Sequence, residues 1–248
     1  MSAALLNVVI GLVTSVLSGG GVWLLNRAKR ARTLHRKAAF FGLEGGAPCV
    51  VVMNDKYSKP GTTAQDDVHA LVEIAMLGRE LGSPVAIRQA REFREGNGSS
   101  TEFCIGGPSG GSNPRTGGHL AAHLPGVTIL PYGDGDDSMA FLIGGEKFRY
   151  ERGQRERALV AKFRPGPDSR PVFVISGQTA LSNRAAVHFL KRRHRDLADS
   201  LENAERFCLI IRTDDIGTYG HEAATLERDV TRAAFVPANG DGEAAGET

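Results

Sequence analysis

The chain has 248 residues, 41% hydrophobic and 23% charged, with three cysteines: enough for one or two globular domains, and no disulfide-stapled mini-protein. A mean hydropathy of −0.19 excludes a multi-span channel or transporter, and 30 basic against 28 acidic residues do not describe a nucleic-acid binder. The net charge of +2 nevertheless hides a concentration of positive charge near the N-terminus.

Leu5 to Leu25 is a run of 21 residues without a charge, rich in Leu, Val and Ile. As a helix it would extend about 31 Å, one bilayer crossing. Arg27, Lys29, Arg30, Arg32, Arg36 and Lys37 follow, and no acidic residue precedes Glu44. The expected organisation is a transmembrane helix over 1–26 with its N-terminus outside, and a basic juxtamembrane linker over 27–47 on the cytoplasmic side. Trp23 is expected at the inner interface. Residues 5–25 would partner the lipid bilayer, and 27–37 would meet anionic lipid headgroups. Asn7, Gly11, Ser15 and Gly19 recur every four residues and offer a small face for homo-oligomerisation, although small residues are common in spans anyway. The alternative is secretion after signal-peptide cleavage; no Lys or Arg before Leu5 and no A-x-A-like site argue against it.

Cys49 to Met53 is a continuous apolar run, expected as a strand buried on both faces. Thr62 or Thr63, then Asp66, open a helical pattern through Val68, Leu71, Val72, Ala75 and Met76, which Gly82 closes. Short strands are expected at Val85 to Ile87, Phe103 to Ile105 and Val127 to Leu130, with a helix near Thr116 to Leu124. From Gly133 to Arg164 the pattern turns β-rich and reads as a hairpin-like insertion or extension. Val172 to Ile175 and Phe207 to Ile211 return to buried strands, separated by a helix from Ser182 to Lys191 and a second helical stretch to Leu201. A last helix is expected over Ala223 to Phe235. The fold class is therefore α/β, a Rossmann-like three-layer sandwich with a mostly parallel sheet, spanning 48–237 and followed by a disordered acidic tail, 238–248. Cys49, Cys104 and Cys208 all fall in strands at spacings that suit neither zinc nor redox motifs, so they read as buried thiols.

Set against itself at an offset of 70, the chain aligns without a gap: Phe103, Ile105, Gly107, Ser112, Asn113 and Leu120 match Phe173, Ile175, Gly177, Ser182, Asn183 and Leu190, and Ser109 faces Thr179. Each copy is a strand, a Gly turn, hydroxyl residues, Ser-Asn, then a helix. Loops of this kind leave the carboxyl ends of strands, where α/β folds bind ligands and where helix N-termini attract anions. The expected ligand-binding residues are Gly107, Ser109, Ser112, Asn113, Arg115, Gly177, Thr179, Ser182, Asn183 and Arg184. In that reading Ser112 or Asn113, and Ser182 or Asn183, cap the helices, while Arg115 and Arg184 add charge-assisted bonds to phosphate or carboxylate. Neither loop is a Walker A or GxGxxG signature, and caps and turns alone explain the same residues.

Gly61-Thr62-Thr63 before Asp67-Val68, Ile105-Gly106-Gly107-Pro108 with Asn113-Pro114-x-Thr116, and Ser176-Gly177-Gln178 with Asn183-Arg184-x-Ala186 carry a resemblance over most of 48–236. The chain resembles an uncharacterised family of actinobacterial membrane-anchored proteins with a Rossmann-like domain. It is also distantly similar to nucleotide-sensing Rossmann-like modules of bacterial conflict systems, without their Gly-rich signatures. The resemblance implies a fold and no established activity.

Candidate catalytic residues are Asp55, after the first strand beside Asn54, Lys56 and Lys59, and Asp214 and Asp215 with His221, after the last buried strand. Turn formation is the simpler account of the first group. Asp134, Asp136 and Asp137 lack the calcium-loop pattern, and His119 and His123, though four apart, lack the Glu of HExxH; no metal site is assigned. No cofactor is named and no Gly-x-Ser-x-Gly elbow occurs. The expectation is a membrane-anchored cytoplasmic domain that binds an anionic small molecule, a nucleotide first, as sensor or regulator. An enzyme acting on a nucleotide or sugar, and a ligand-free interaction module, are the alternatives.

Overall fold

The computed structural model describes residues 3–237 apart from 57, 58, 60, 95, 97, 110 and 111, with the helical backbone alone for 3–20. Its first element, α1 (Ala3–Phe41), is one helix through the stretch expected as a linker. Among the described residues no helix is long and apolar enough to cross a membrane. The side chains of most of the expected span, including the Asn7, Gly11, Ser15 and Gly19 face, and the whole of the tail 238–248 lie outside the described residues. Within them, Val22, Trp23, Leu24 and Leu25 are exposed, and Arg27 sits over the Trp23 ring at 5.3 Å.

The helix does not end as a free linker because its last turn belongs to the core. Phe40, Phe41 and Leu43 are buried, with Phe40 stacked on Phe207 and Phe41 tilted against Phe103 and Phe173. Gly42 stops the helix at φ +67°, where a Cβ would meet Pro171 at 2.1 Å, and Thr101 donates to its carbonyl at 2.6 Å. Lys37, one of the six basic residues of 27–37, is drawn into an ion pair with Glu80 at 2.6 Å.

Five elements follow in the order strand, helix, strand, strand, helix: β1 (Cys49–Met53), α2 (Gln65–Glu80), β2 (Val85–Gln89), β3 (Thr101–Ile105) and α3 (Pro114–His123). Then come β4 (Val127–Ile129), β5 (Phe141–Ile143), β6 (Glu146–Phe148), β7 (Arg155–Phe163), β8 (Val172–Gly177), α4 (Ala180–Ser200) and β9 (Phe207–Asp214). A short α5 (Ile216–Tyr219), a 3-10 turn Gly220–Ala223, β10 (Ala224–Asp229) and α6 (Thr231–Ala234) complete the described chain. The central sheet has seven strands in the order β10-β9-β7-β8-β3-β1-β2; β4, β5 and β6 form a separate antiparallel sheet.

Strands β2, β1, β3, β8 and β9 run one way, β7 and β10 the other, so the sheet is mostly parallel by direction. This is a mixed α/β fold compatible with a Rossmann-like arrangement. Two expectations are corrected. The segment 155–163 is no insertion: β7 is an interior strand of the main sheet, between β9 and β8, buried along nearly its whole length, because its run of Ala, Leu and Val covers both faces. Residues 224–229 are an antiparallel strand on β9 where a helix was expected, and helix is confined to Thr231–Ala234. The apolar pattern there is too weak to fix its period, and pairing with β9 decides it.

Alternate side chains of each strand feed opposite layers. Phe103, Ile105, Phe173, Ile175, Leu209 and Ile211 pack under α2, α4 and the end of α1. Val172, Val174, Cys208, Ile210, Leu159 and Ala161 pack under α3, α6 and the small sheet. Lys162 is fully buried among the former; its Nζ reaches the Ala204 carbonyl at 2.9 Å and Glu205 at 2.8 Å, and burial holds it below the usual lysine range. All three cysteines are free and buried, and burial pushes the Cys49 thiol up to about 12.

Candidate functional site

The sheet's order reverses between β1 and β3: the β1-α2-β2 connection leaves on one side, the chain from β3 through α3 to β8 on the other. Strand ends diverge at such a point and leave a crevice at their carboxyl edge. The β3 and β8 copies of the repeat are neighbours in parallel register, with Phe103 opposite Phe173 and Ile105 opposite Ile175, and the two Phe rings stack at 4.7 Å. The offset of 70 in the sequence is thus the register of the sheet, and both loops emerge side by side.

A cavity of about 350 Å³ opens there. Asn54, Asp55 and Lys56 after β1, Asp67 of α2, Gly107, Ser109 and Ser112 after β3, and Ser176, Gly177, Gln178, Thr179 and Asn183 around the start of α4 form its polar side. Ile129, Tyr132, Met139 and Phe141, from the small sheet and its loop, form an apolar wall. This wall had no warning in the sequence, since it depends on a separate sheet folding back over the switch point. Gly106, at φ +94°, lets β3's end pass Asn54; a Cβ would come within 2.5 Å of that side chain.

Gly107, Ser109, Ser112, Gly177, Thr179 and Asn183 line the cavity; Asn113, Ser182, Arg115 and Arg184 do not. Asn113 caps α3, accepting from the Thr116 N–H at 3.0 Å and donating to the Ile105 carbonyl at 3.0 Å, so its amide is consumed within the fold. The second helix starts earlier than the repeat implies: Thr179 caps α4, and Ser182 completes a capping box with it. Asn183 is therefore within the helix, where its amide accepts from Gly177 N–H and donates to Asp67 at 2.8 Å.

Neither arginine lines the cavity, and each is paired with an acidic neighbour. Arg184 pairs with Asp66 at 3.0 Å. Arg115 forms a bidentate pair with Glu102, both contacts 2.8 Å, lies over Phe93, and lines a different hollow of about 300 Å³ with Ala90 and His119. Glu102 also accepts from His119 Nε2 at 2.9 Å and from the Cys104 thiol at 3.0 Å. Burial alone would raise its pKa, but the Arg115, His119 and Cys104 hydrogen bonds outweigh it and hold the carboxyl at about 2. Glu102, Cys104 and His119 stand close enough to suggest a metal set, yet the carboxylate is saturated and burial keeps the thiol protonated. The trio is a hydrogen-bond network. His123 instead packs on Phe163, ring centroids 4.8 Å apart.

The carboxylates in the cavity are restrained. Asp55 pairs with Arg91 at 2.5 Å, and its N–H donates to the Ser112 carbonyl, tying the β1 loop to the β3 loop. Burial pushes Asp67 up, against hydrogen bonds from Asn183 and Asn54. Glu156, which accepts from the Thr179 hydroxyl beside the cavity, is likewise raised by burial. Two buried polar atoms of the lining, Asn54 Oδ1 and Ser176 Oγ, have no partner.

Asp214, Asp215 and His221 do not reach this cavity, since β7 separates β9 from β8. Asp214 pairs with Arg155 and Arg212, each at 2.8 Å, and Asp215 takes the left-handed turn before α5. Asp137 is exposed and paired with Lys147 and Arg149. Asp134 and Asp136 belong to no cluster of three ligands among the described residues. A larger hollow of about 990 Å³ lies at the opposite end of the sheet, beside the start of β9. Its Arg228 and Arg232 are paired with Glu146 and Glu202.

Fold and site together define a mixed α/β protein, compatible with a Rossmann-like arrangement, with a polar and apolar cleft at the switch point. No family model matches the chain, and no curated protein or solved structure matches it either.

Proposed function

We propose that the cleft binds a small molecule of the nucleotide class and that the protein is a membrane-anchored sensor or regulator. The observation that carries this reading is the pairing of an apolar wall, Ile129, Tyr132, Met139 and Phe141, with a polar side that includes the unpartnered Asn54 Oδ1 and Ser176 Oγ. A flat ring suits the wall, hydroxyls and amides suit the polar side, and a buried polar atom without a partner favours a ligand that satisfies it. The anionic part would meet the N–H groups of the β3 loop and the exposed Lys56, in place of Arg115 and Arg184. Among the described residues no histidine or cysteine lines the cleft, and Asp55 is already paired, which favours binding without turnover.

The anchor is part of the same proposal. Exposed Val22 to Leu25 continue the uncharged run from Leu5, and the basic residues of 27–37 follow it along α1. From Leu25 to Phe41 the helix rises about 24 Å, a stalk that would hold the domain clear of headgroups on the cytoplasmic side. The motif resemblance to membrane-anchored Rossmann-like proteins points the same way.

The test is a thermal-shift and calorimetric titration of the full chain, in detergent, with nucleoside mono-, di- and triphosphates and nucleotide sugars, followed by chromatography for turnover. Stabilisation without turnover is expected, with affinity lowered about tenfold in Lys56→Ala and in Tyr132→Ala. No stabilisation by any of them, or binding indifferent to both substitutions, refutes the site. Turnover would favour the second reading, an enzyme on a nucleotide or sugar, which the raised pKa values of Asp67 and Glu156 recommend. Retention of the chain in membranes after alkaline extraction, lost on removing 1–26, tests the anchor.

A further inference from the structure

Outside the cleft, the paired helices α2 and α4 carry a second constellation. Glu73 of α2, His188 of α4 and His221 of the 3-10 turn Gly220–Ala223 come together although far apart in sequence. One donor atom from each lies within 4.8 Å of the other two, and all three side chains are half-buried. The His188 and His221 rings meet edge to face at 5.1 Å, and His188 Nε2 is buried with no hydrogen-bond partner. The carboxylate touches Lys191 at 3.0 Å, which leaves it a second oxygen.

We propose that Glu73, His188 and His221 form a binding site for a divalent transition cation of the zinc class. Two imidazoles and one carboxylate are the donor set that borderline cations prefer over magnesium or calcium, which take oxygen. At bond lengths of about 2.0–2.1 Å, tetrahedral donors stand roughly 3.3 Å apart, so the present spacing has to close by about 1.5 Å at most. Half-exposed side chains reach that by rotation. A tetrahedral cation held by these three donors would take water in its fourth position. The cation would pin the turn that follows α5 to the α2/α4 pair, and both those helices begin at the cleft with Asp67 and Thr179. Lys191 opposes it, since its ammonium competes for the Glu73 carboxylate.

The experiment uses the full chain without an affinity tag, stripped with chelator and titrated with Co²⁺, then with Zn²⁺ in competition. One Co²⁺ per chain is expected, with visible ligand-field absorption that Zn²⁺ abolishes. Glu73→Gln, His188→Ala and His221→Ala each weaken uptake about tenfold or more. Lys191→Gln tightens it, and His35→Ala, on exposed α1, leaves it unchanged. His221 sits on a surface turn, so its variant keeps the fold even where His188→Ala does not. Absence of one-to-one uptake, or uptake indifferent to His221→Ala, overturns the site; unchanged affinity in Lys191→Gln removes Glu73 from it.

Discussion

Glu102→Gln tests whether Arg115 is a structural cation or one available to a ligand. In the native protein Glu102 is held at about 2, against an ordinary 4.5, by the bonds from Arg115, His119 and Cys104. Its side chain is 4% exposed, so solvent screens little of this. A depressed carboxylate contributes stability that is complete well above its unfolded value and is lost as pH falls through the folded value. The shift is worth about 3 kcal/mol at pH 7, and roughly 2 kcal/mol of it is gone by pH 3. Asp67 and Glu156 are raised, so their contributions carry the opposite sign and must be subtracted. The informative quantity is therefore the wild-type unfolding free energy minus that of Glu102→Gln, from urea titrations between pH 7 and pH 3. This difference should shrink by about 2 kcal/mol across the range. A flat difference would mean that the Arg115 pair contributes nothing through ionisation, and would return Arg115 to the set of candidate ligand donors.

Three further outcomes follow from the same geometry. Asn183→Ala removes both the acceptor for Gly177 N–H and the donor to Asp67, and should cost roughly 2–4 kcal/mol in urea unfolding; less than 1 kcal/mol would show that water replaces the amide. Gly106→Ala places a Cβ against Asn54 at a positive φ and should cost about 2 kcal/mol, so unfolding at wild-type denaturant concentration would contradict the close approach. The three buried thiols should resist a disulfide reagent at pH 8 until the chain unfolds, and one fast-reacting thiol in the native protein would refute their burial.

How much of this was legible in the sequence depended on the range of the interactions involved. Cys49 to Met53, Phe103 to Ile105, Val172 to Ile175 and Phe207 to Ile211 announce buried strands because residues covered on both faces must be apolar throughout. The existence of α2 and its closing Gly82 were equally local, but Val68, Val72 and Met76 of the expected pattern are exposed, and the buried face runs through Ala70, Leu71, Ile74 and Leu77. The repeat at offset 70 even carried tertiary information, since its partners are cross-strand neighbours. It misled at α4, where Thr179 lies three residues ahead of Ser182 and captures the cap first.

What the tertiary structure alone decided is which charges are spent and which elements meet. Arg115 and Arg184 look like phosphate ligands until Glu102 and Asp66 are seen beside them, and no spacing rule encodes those pairs. The Ile129 to Phe141 wall exists only because the small sheet folds over the switch point, and Glu73, His188 and His221 meet only because α2 packs on α4. Hydrophobic periodicity is a property of neighbouring residues and survives in the linear chain. Electrostatic partners and cavity walls come from long-range packing, so they appear only once the chain has folded.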